Sequence, residues 1–401
     1  MAGMRRRVVP LVAGVVIVLA VVLVAALVGT SGRRTGTAAD PTATRPGTAS
    51  GVEFLGEQRL PPGTEYAGTT VGGLSGLDRD PSTGTWFLIS DDRSAKQPAR
   101  YYTADLAFDG PDGGLSAIRL TGVTTLLRPD GAPYPPVSGG DGTTVDPEDI
   151  RVDPRSTNLL WSQEGERSVP ADGAAPTLID PSVRFTDREG RSAGEVPVPP
   201  EERVSAADRG IRQNLGPEGL SFADHGRLVV TAVEGPLWQD GPTPTRTAGA
   251  RSRIVVQRRD GTVVARYAYP QDPLFADPVP GGGTAVTGVT GILAVDDADP
   301  TRFLVLERSF VPGPGNRVRV YEIDTAGATD LTSPGTPVDA ARPVAKRLLV
   351  DLADLPLRSV DNVEGLAWGP PRSDGSRTLV LVSDDNFSPD QVTQLVALAV
   401  P

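Results

Sequence analysis

Apolar and polar positions alternate along this chain in short runs, and the runs come in pairs. The clearest pair spans residues 216–235, GPEGLSFADHGRLVVTAVEG, two apolar stretches of strand length around a polar turn. That spacing predicts an antiparallel hairpin. Related pairs start at Val71 (VGGLSGLDRDPSTGTWFLISDD), Asp146 (DPEDIRVDPRSTNLLWSQEGE), Gly288 (GVTGILAVDDADPTRFLVLERS) and Asn362 (NVEGLAWGPPRSDGSRTLVLVSDDN). Their aligned aliphatic residues, Leu77, Ile150, Leu220, Ile292 and Leu366, lie 73, 70, 72 and 74 residues apart. So constant a period over five copies is the signature of a repeat architecture.

Four strands are predicted in each of the first four repeats. They fall at 74–77, 85–89, 100–108 and 116–123; at 148–152, 158–162, 183–186 and 194–198; at 218–222, 227–233, 252–258 and 262–269; and at 289–295, 302–306, 317–323 and 345–349. The last repeat has three, at 363–368, 378–382 and 391–400. The apolar-alternating run 52–60 can supply its fourth, joining the first and last units and leaving no open edge. The expected fold is all-β: a β-propeller of five four-stranded blades closed by the N-terminal strand. Blades of this type usually need roughly 40–50 residues. The excess lies in the Pro-, Gly- and Asp-rich insertions 126–144, 239–251 and 270–287, any of which would give a sixth blade if it hid one.

Composition agrees with many strands and turns. Gly (46) and Pro (39) are abundant, and aromatic residues make up 5% of the 401 residues. There is no Cys, which removes disulfides, thiol nucleophiles and Cys-ligated metals, and a single His, which removes a His-based metal cluster. That residue, His225, sits in an ordinary hairpin turn.

Residues 8–28 carry no charge, which is the length needed to span a bilayer, and Arg5, Arg6 and Arg7 precede them. The positive-inside rule places the N-terminus in the cytoplasm and the rest outside. A cleaved signal peptide is the alternative, with residues 29–31 a weak small-x-small site. The organisation read from sequence is therefore 1–30 Arg tip and membrane anchor or signal, 31–50 flexible linker rich in Thr, Ala, Gly and Pro, and 51–401 propeller. The first 50 residues hold six Arg and one Asp, net +5 of the chain's −11, so the remainder carries −16. Such an acidic domain argues against a nucleic-acid partner and suits cations.

The hairpin pattern also places candidate chemistry. The position just before the Gly of each first strand holds Ser75, Glu148, Glu218, Thr290 and Glu364; Asp149 replaces that Gly in the second repeat. The second strands end in Asp91 and Asp92, Glu164, Glu234, Glu307, and Asp384 and Asp385. Antiparallel pairing puts both sets at one edge of the sheet, a mouth ringed by roughly ten carboxylates. Like charges so crowded either raise one another's pKa or recruit cations. Arg93, Arg167 and Arg308, which follow the second-strand acids, offer one compensation. A hard cation offers another: Ca²⁺ takes oxygen ligands from carboxylates, here Glu148, Glu218, Glu364, Asp91, Glu164, Glu234 and Asp384. The bland alternative is that these acids pair with Arg and cap the blade ends. Serine chemistry fits poorly, because GGLSGLD lacks the second Gly of GxSxG and no His can serve Ser75.

The strings NLGPEGLSF, LERSFVPGPGNRVRVYEID and DNVEGLAWG resemble the phytase-like family, named for the esterase-like activity of phytase, over about residues 66–400. The resemblance implies a secreted or envelope-attached β-propeller that hydrolyses phosphate or carboxyl esters with calcium. Matching positions carry over Glu218, Glu364, Glu307 and Arg308 as catalytic and Asn316 as substrate-binding, beside Arg93 and Arg167. The chain departs from the EGL motif at Glu148–Asp149, and Lys96 and Lys346 are its only lysines, few for a multiply phosphorylated substrate. The expected partner is a small-molecule ester or phosphoester, with the membrane reached through the N-terminal helix. A non-catalytic envelope module binding a ligand or protein through the same face is the alternative reading.

Overall fold

The computed structural model describes residues 51–138, 142–333 and 336–401. The apolar segment 8–28 and the linker 31–50 lie outside the described residues. Among the described residues no helix is long and apolar enough to cross a membrane.

The described chain opens with β1 (Glu53–Leu60) and a two-residue ribbon of β2 (Glu65–Tyr66) and β3 (Thr69–Thr70). Blade 1 is β4 (Leu74–Arg79), β5 (Trp86–Ser90), β6 (Arg100–Ala107) and β7 (Ala117–Thr125). Blade 2 is β8 (Pro147–Val152) and β9 (Leu159–Gln163), a side ribbon of β10 (Glu166–Ser168) and β11 (Thr177–Ile179), then β12 (Ser182–Thr186) and β13 (Ser192–Val196). Blade 3 is β14 (Pro217–Ala223), β15 (Leu228–Val233), β16 (Arg251–Arg258) and β17 (Val263–Pro270). Blade 4 is β18 (Val286–Ala294), β19 (Arg302–Val311), β20 (Gly315–Asp324) and β21 (Ala345–Asp351). Blade 5 joins β22 (Asn362–Pro371), β23 (Arg377–Asp384) and β24 (Thr393–Val400) to β1, which pairs antiparallel with β24.

The first strands β4, β8, β14, β18 and β22 touch one another in a ring, which makes this a five-bladed propeller. Among the described residues the insertions 126–144, 239–251 and 270–287 add no further four-stranded sheet, so the six-bladed count falls.

Alternation along each second strand explains the short apolar runs. Trp86 and Leu88 of β5 face blade 5, whereas Phe87 and Ile89 face blade 2. Phe303 and Val305 of β19 face blade 3, and Leu304 and Leu306 face blade 5. Each sheet buries both faces, so one core lies between each pair of neighbouring blades. Such a strand reads as continuously apolar rather than half polar, and each buried Leu, Ile or Phe contributes about 1.5–3 kcal/mol.

Near the axis the first strands come close enough to exclude side chains. A Cβ at Gly76 would stand 2.6 Å from the carbonyl oxygen of Glu148 in the next blade. Asp149 takes the corresponding Gly position in blade 2 for a specific reason. Its carboxylate accepts from the backbone N–H of Ile150 (2.8 Å) and Leu220 (2.9 Å) and pairs with Arg151 (2.7 Å).

Candidate functional site

All five first strands carry a β-bulge at the same level. The pairing shifts between Leu74 and Gly76, Pro147 and Ile150, Pro217 and Gly219, Val289 and Gly291, and Val363 and Gly365. A bulge re-aims the extra residue away from the sheet face. The residues so released are Ser75, Glu148 with Asp149, Glu218, Thr290 and Glu364. Ser75 Oγ donates to Glu148 Oε2 (2.9 Å) and Glu364 Oε2 (3.4 Å), which places three blades around one point.

A second tier comes from the second strands. The backbone N–H groups of Asp91, Glu164 and Glu234 donate to the carbonyls of Gly73, Asp146 and Gly216, and Arg308 and Asp384 stand opposite Gly288 and Asn362. The five are therefore register equivalents: four acids and one Arg. Glycine at this level leaves room for the acid of the preceding blade; a Cβ on Gly216 would fall 2.5 Å from the Cβ of Glu164. Gly216 also donates its N–H to Glu164 Oε2 at 3.1 Å.

The register corrects one expectation. Glu307, predicted at the mouth, is one residue short of it and turns to the opposite face. There it pairs with Lys346 (2.8 Å) beside Asp272. The cause is β19, which runs on to Val311, so the end of its apolar run does not mark the mouth. Asn316 sits on the same extended ribbon opposite Phe310 and makes no contact with the mouth acids among the described residues. Arg167, on β10, likewise bonds only to backbone and to the Gln213 amide. Asp92 is committed to a turn, where it pairs with Arg100 (2.7 Å) and accepts from the N–H groups of Ala95, Lys96 and Gln97. Asp385 accepts from the N–H groups of Gly73 and Phe387.

The geometry brings together Asp91, Glu148, Glu164, Glu218, Glu234, Glu364 and Asp384, and adds Asp146, which sequence reasoning missed. Asp146 occupies a position that is Gly in three other repeats, so its departure from the pattern was the available signal. Oxygens of Asp146, Glu148 and Glu164 lie within 4.8 Å of one another, a group that could hold a metal ion. Two cations face these eight acids. Arg308 bonds Glu234 Oε1 (2.8 Å) and Asn362 Oδ1 (2.6 Å) and lies 3.6 Å from Glu364. Arg93 reaches Asp146 (3.1 Å) and Glu166.

Two cations are too few, and the acids respond by holding protons. Burial first, and then the charge of neighbouring acids, pushes Asp91, Glu148 and Glu218 well above the usual carboxylate range. Asp384 moves the same way, against Glu364. Burial and Asp146 raise Glu164 to about 8, and burial raises Glu234 to about 8 although Arg308 opposes it. Asp146 rises to about 6, restrained by Arg93. The carboxyls of Asp146 and Glu164 lie side by side, close enough to act directly on each other's protonation. Glu364 is also raised by burial, but its strongest neighbours pull it down: Arg308, Asn362 Nδ2 at 2.9 Å and Ser75.

A five-bladed propeller with a bulge-built acidic mouth is the class of protein that fold and site define. The chain belongs to the phytase-like family described as "esterase-like activity of phytase", whose match spans residues 69–387. Among solved structures, it is similar to a periplasmic gluconolactonase of Pseudomonas aeruginosa, at 13% identity, covering 83% of this chain and 90% of that one, with a TM-score of 0.35. A gluconolactonase of Xanthomonas campestris is 12% identical, covering 86% and 91%, with a TM-score of 0.32. A glucose dehydrogenase is 15% identical, covering 87% and 98%, with a TM-score of 0.35. No curated protein sequence matched.

Proposed function

We propose that this chain is an extracytoplasmic hydrolase of phosphate or carboxyl esters that works at the acidic mouth with Ca²⁺, held at the membrane by its N-terminal segment. The observation that carries the reading is the convergence of eight carboxyls and two arginines at the bulged ends of the five blades. Its membership of the phytase-like family supports the same chemistry.

The donor set fits a hard cation. Every candidate ligand is an oxygen, there is no Cys, and His225 is tied to Asp297 in a turn. Asp146, Glu148 and Glu164 would hold the ion. A bound Ca²⁺ supplies electrostatic polarisation of an ester oxygen and of a water molecule. The remaining roles belong to the protein. Glu218, whose protonated form is favoured by burial and then by Glu234, Glu164 and Glu364, is suited to donate a proton to a leaving group. Glu364, held toward its anion by Arg308, Asn362 and Ser75, is suited to accept one. Environments that push two carboxyls apart in this way assign acid and base. Arg308 bridges Glu234 and Glu364 and offers charge to a developing oxyanion.

A second reading rests on burial. Glu148, Glu218 and Glu364 are 6%, 6% and 7% exposed, so the same mouth suits an envelope module that binds a ligand without turning it over. The test is turnover of a panel of phosphate and carboxyl esters with and without Ca²⁺. Hydrolysis lost in the Glu218→Gln and Glu364→Gln pair supports the enzyme. No turnover by wild type, with Ca²⁺ binding retained, overturns it in favour of the module.

A further inference from the structure

Beside the acids, the rim carries a feature that the catalytic reading does not use. Trp238 opens the short 3-10 turn Trp238–Asp240 just beyond β15, and two guanidinium groups lie over its indole. Arg212 Cζ is 3.9 Å and Arg167 Cζ 5.0 Å from the ring. Both belong to the mouth side. Arg167 follows Glu164 by three residues, and Arg212 precedes Gly216, whose N–H holds Glu164, by four.

Backbone contacts hold the two arginines. Arg212 donates through Nε to Pro236 O (3.0 Å) and through Nη2 to Gly241 O (2.7 Å). Arg167 donates through Nε to Ser205 O (2.8 Å), and its N–H donates to Gln213 Oε1 (2.8 Å). Among the described residues neither forms an ion pair, and the Nη1 group of each has no protein partner. Trp238 Nε1 is buried with no hydrogen-bond partner. Burial and the charge of Arg167 lower the proton affinity of Arg212, against the pull of Asp208. Two like charges stacked on one indole, with the Asp208 carboxylate acting on Arg212 but paired with neither, repel each other. A planar guanidinium binds carboxylate or phosphate through its fork, and a second one beside it suits a doubly charged anion.

We infer that Arg167, Trp238 and Arg212 form an anion-recognition site at the rim, which selects ester substrates carrying an anionic group away from the scissile bond. This rests on the hydrolase reading for the word substrate; the anion site itself does not depend on it.

The test is titration of the full chain with inorganic phosphate and, separately, with succinate in calcium-free buffer, following tryptophan fluorescence and calorimetry. The wild type should bind at least one of them, which also tells phosphate from dicarboxylate. The fluorescence response should vanish in Trp238→Phe. Arg167→Gln with Arg212→Gln should weaken binding about tenfold or more, the loss expected for charge-assisted hydrogen bonds. Arg212→Lys, which keeps the charge but not the fork, should fall between. Arg167→Gln alone serves if the pair fails to fold. Binding of neither anion, or binding unchanged in the Gln variants, overturns the site. The ester panel separates the two readings. Anion binding without turnover of any ester sinks the hydrolase and leaves this site standing. Turnover with no preference for anionic esters, and no anion binding, does the reverse.

Discussion

The two levels of the propeller axis are built from the same five strands, two residues apart, and they solve opposite problems. At the lower level the aligned residues Leu77, Leu220, Ile292 and Leu366 turn their carbonyls inward. Arg151 of blade 2 donates to all four, at 2.9, 2.5, 3.2 and 2.9 Å respectively, and pairs with Asp149. One guanidinium from one blade thus links it to the other four, and among the described residues neither Arg151 nor Asp149 has a buried side-chain atom left unpaired. At the upper level eight acids meet two arginines, and Thr290 Oγ1 is buried without a partner. Satisfied polar networks fix a fold. Unsatisfied ones mark the places where a protein carries strain for another purpose.

Both levels depend on the ring, so the largest effect should come from opening it. Removing residues 52–60 strips β1 from β24, whose residues Leu395–Leu398 are fully buried. Loss of the cooperative melting transition is expected. An unchanged melting temperature would show that the ring holds without this strand.

Next in size is the lower level itself. Arg151→Met removes five hydrogen-bond partners at once and leaves Asp149 buried beside an apolar chain. Breaking a buried pair in this way costs about 3–5 kcal/mol, to be read from denaturant unfolding. A loss below about 1 kcal/mol would mean that the hub is dispensable and the contrast between the two levels is false.

The upper level should answer to calcium and pH. An ion that binds only the folded chain adds about 2.7 kcal/mol at a hundredfold excess over its Kd, so chelation should lower the Tm and Ca²⁺ should restore it more than Mg²⁺. Without calcium, Glu164 and Glu234 titrate near 8 in the folded chain and near 4.3 when unfolded. Between these values the folded state binds more protons, so stability is greatest below about pH 4.3 as far as these groups decide it, and falls as pH rises toward 8. Calcium held by Asp146, Glu148 and Glu164 would displace the Glu164 proton and should lessen that slope. A calcium-free Tm that rises from pH 5 to 8, with no calorimetric response to Ca²⁺, would show that the acids are neutralised in some other way.

Much of this contrast was legible in the sequence, and the limits have physical causes. The period, the hairpins and the glutamates at 148, 218 and 364 follow from local pattern, because each blade is a local unit. Asp146 and Arg151 were not found, because both break the repeat in blade 2, and averaging over copies hides an exception. A lone Arg inside the apolar run DIRVD was the clue to the hub. The departure at Asp149, which reads from sequence as a lapse in the EGL motif, is explained only by Arg151. Glu307 was misplaced because β19 continues past the end of its apolar run at Leu306; counting back from the bulge at Thr290 puts Arg308 at the mouth instead. The Arg167–Trp238–Arg212 stack draws on separate segments, a long-range arrangement that no local pattern announces.

The finest test lies within the ring of bulges, between two hydroxyls in equivalent positions. Ser75 Oγ is shared between Glu148 and Glu364, whereas Thr290 Oγ1 has no partner among the described residues. Ser75→Ala removes the one hydroxyl that the two buried carboxyls share and should cost about 1 kcal/mol, or somewhat more if the carboxyl it serves is ionised. Thr290→Val keeps the shape and removes a group already unpaired, so the change should be near zero or stabilising by about 0.5 kcal/mol. Equilibrium unfolding of both variants in calcium-free buffer measures the difference. The comparison sharpens when Ca²⁺ is added. A Thr290 hydroxyl that helps to hold the ion would make Thr290→Val costly only in its presence, which would extend the metal site from blade 2 across the mouth to blade 4. Equal losses for both variants without calcium would mean that Thr290 is as well satisfied as Ser75, and the upper level would then be less strained than its acids suggest.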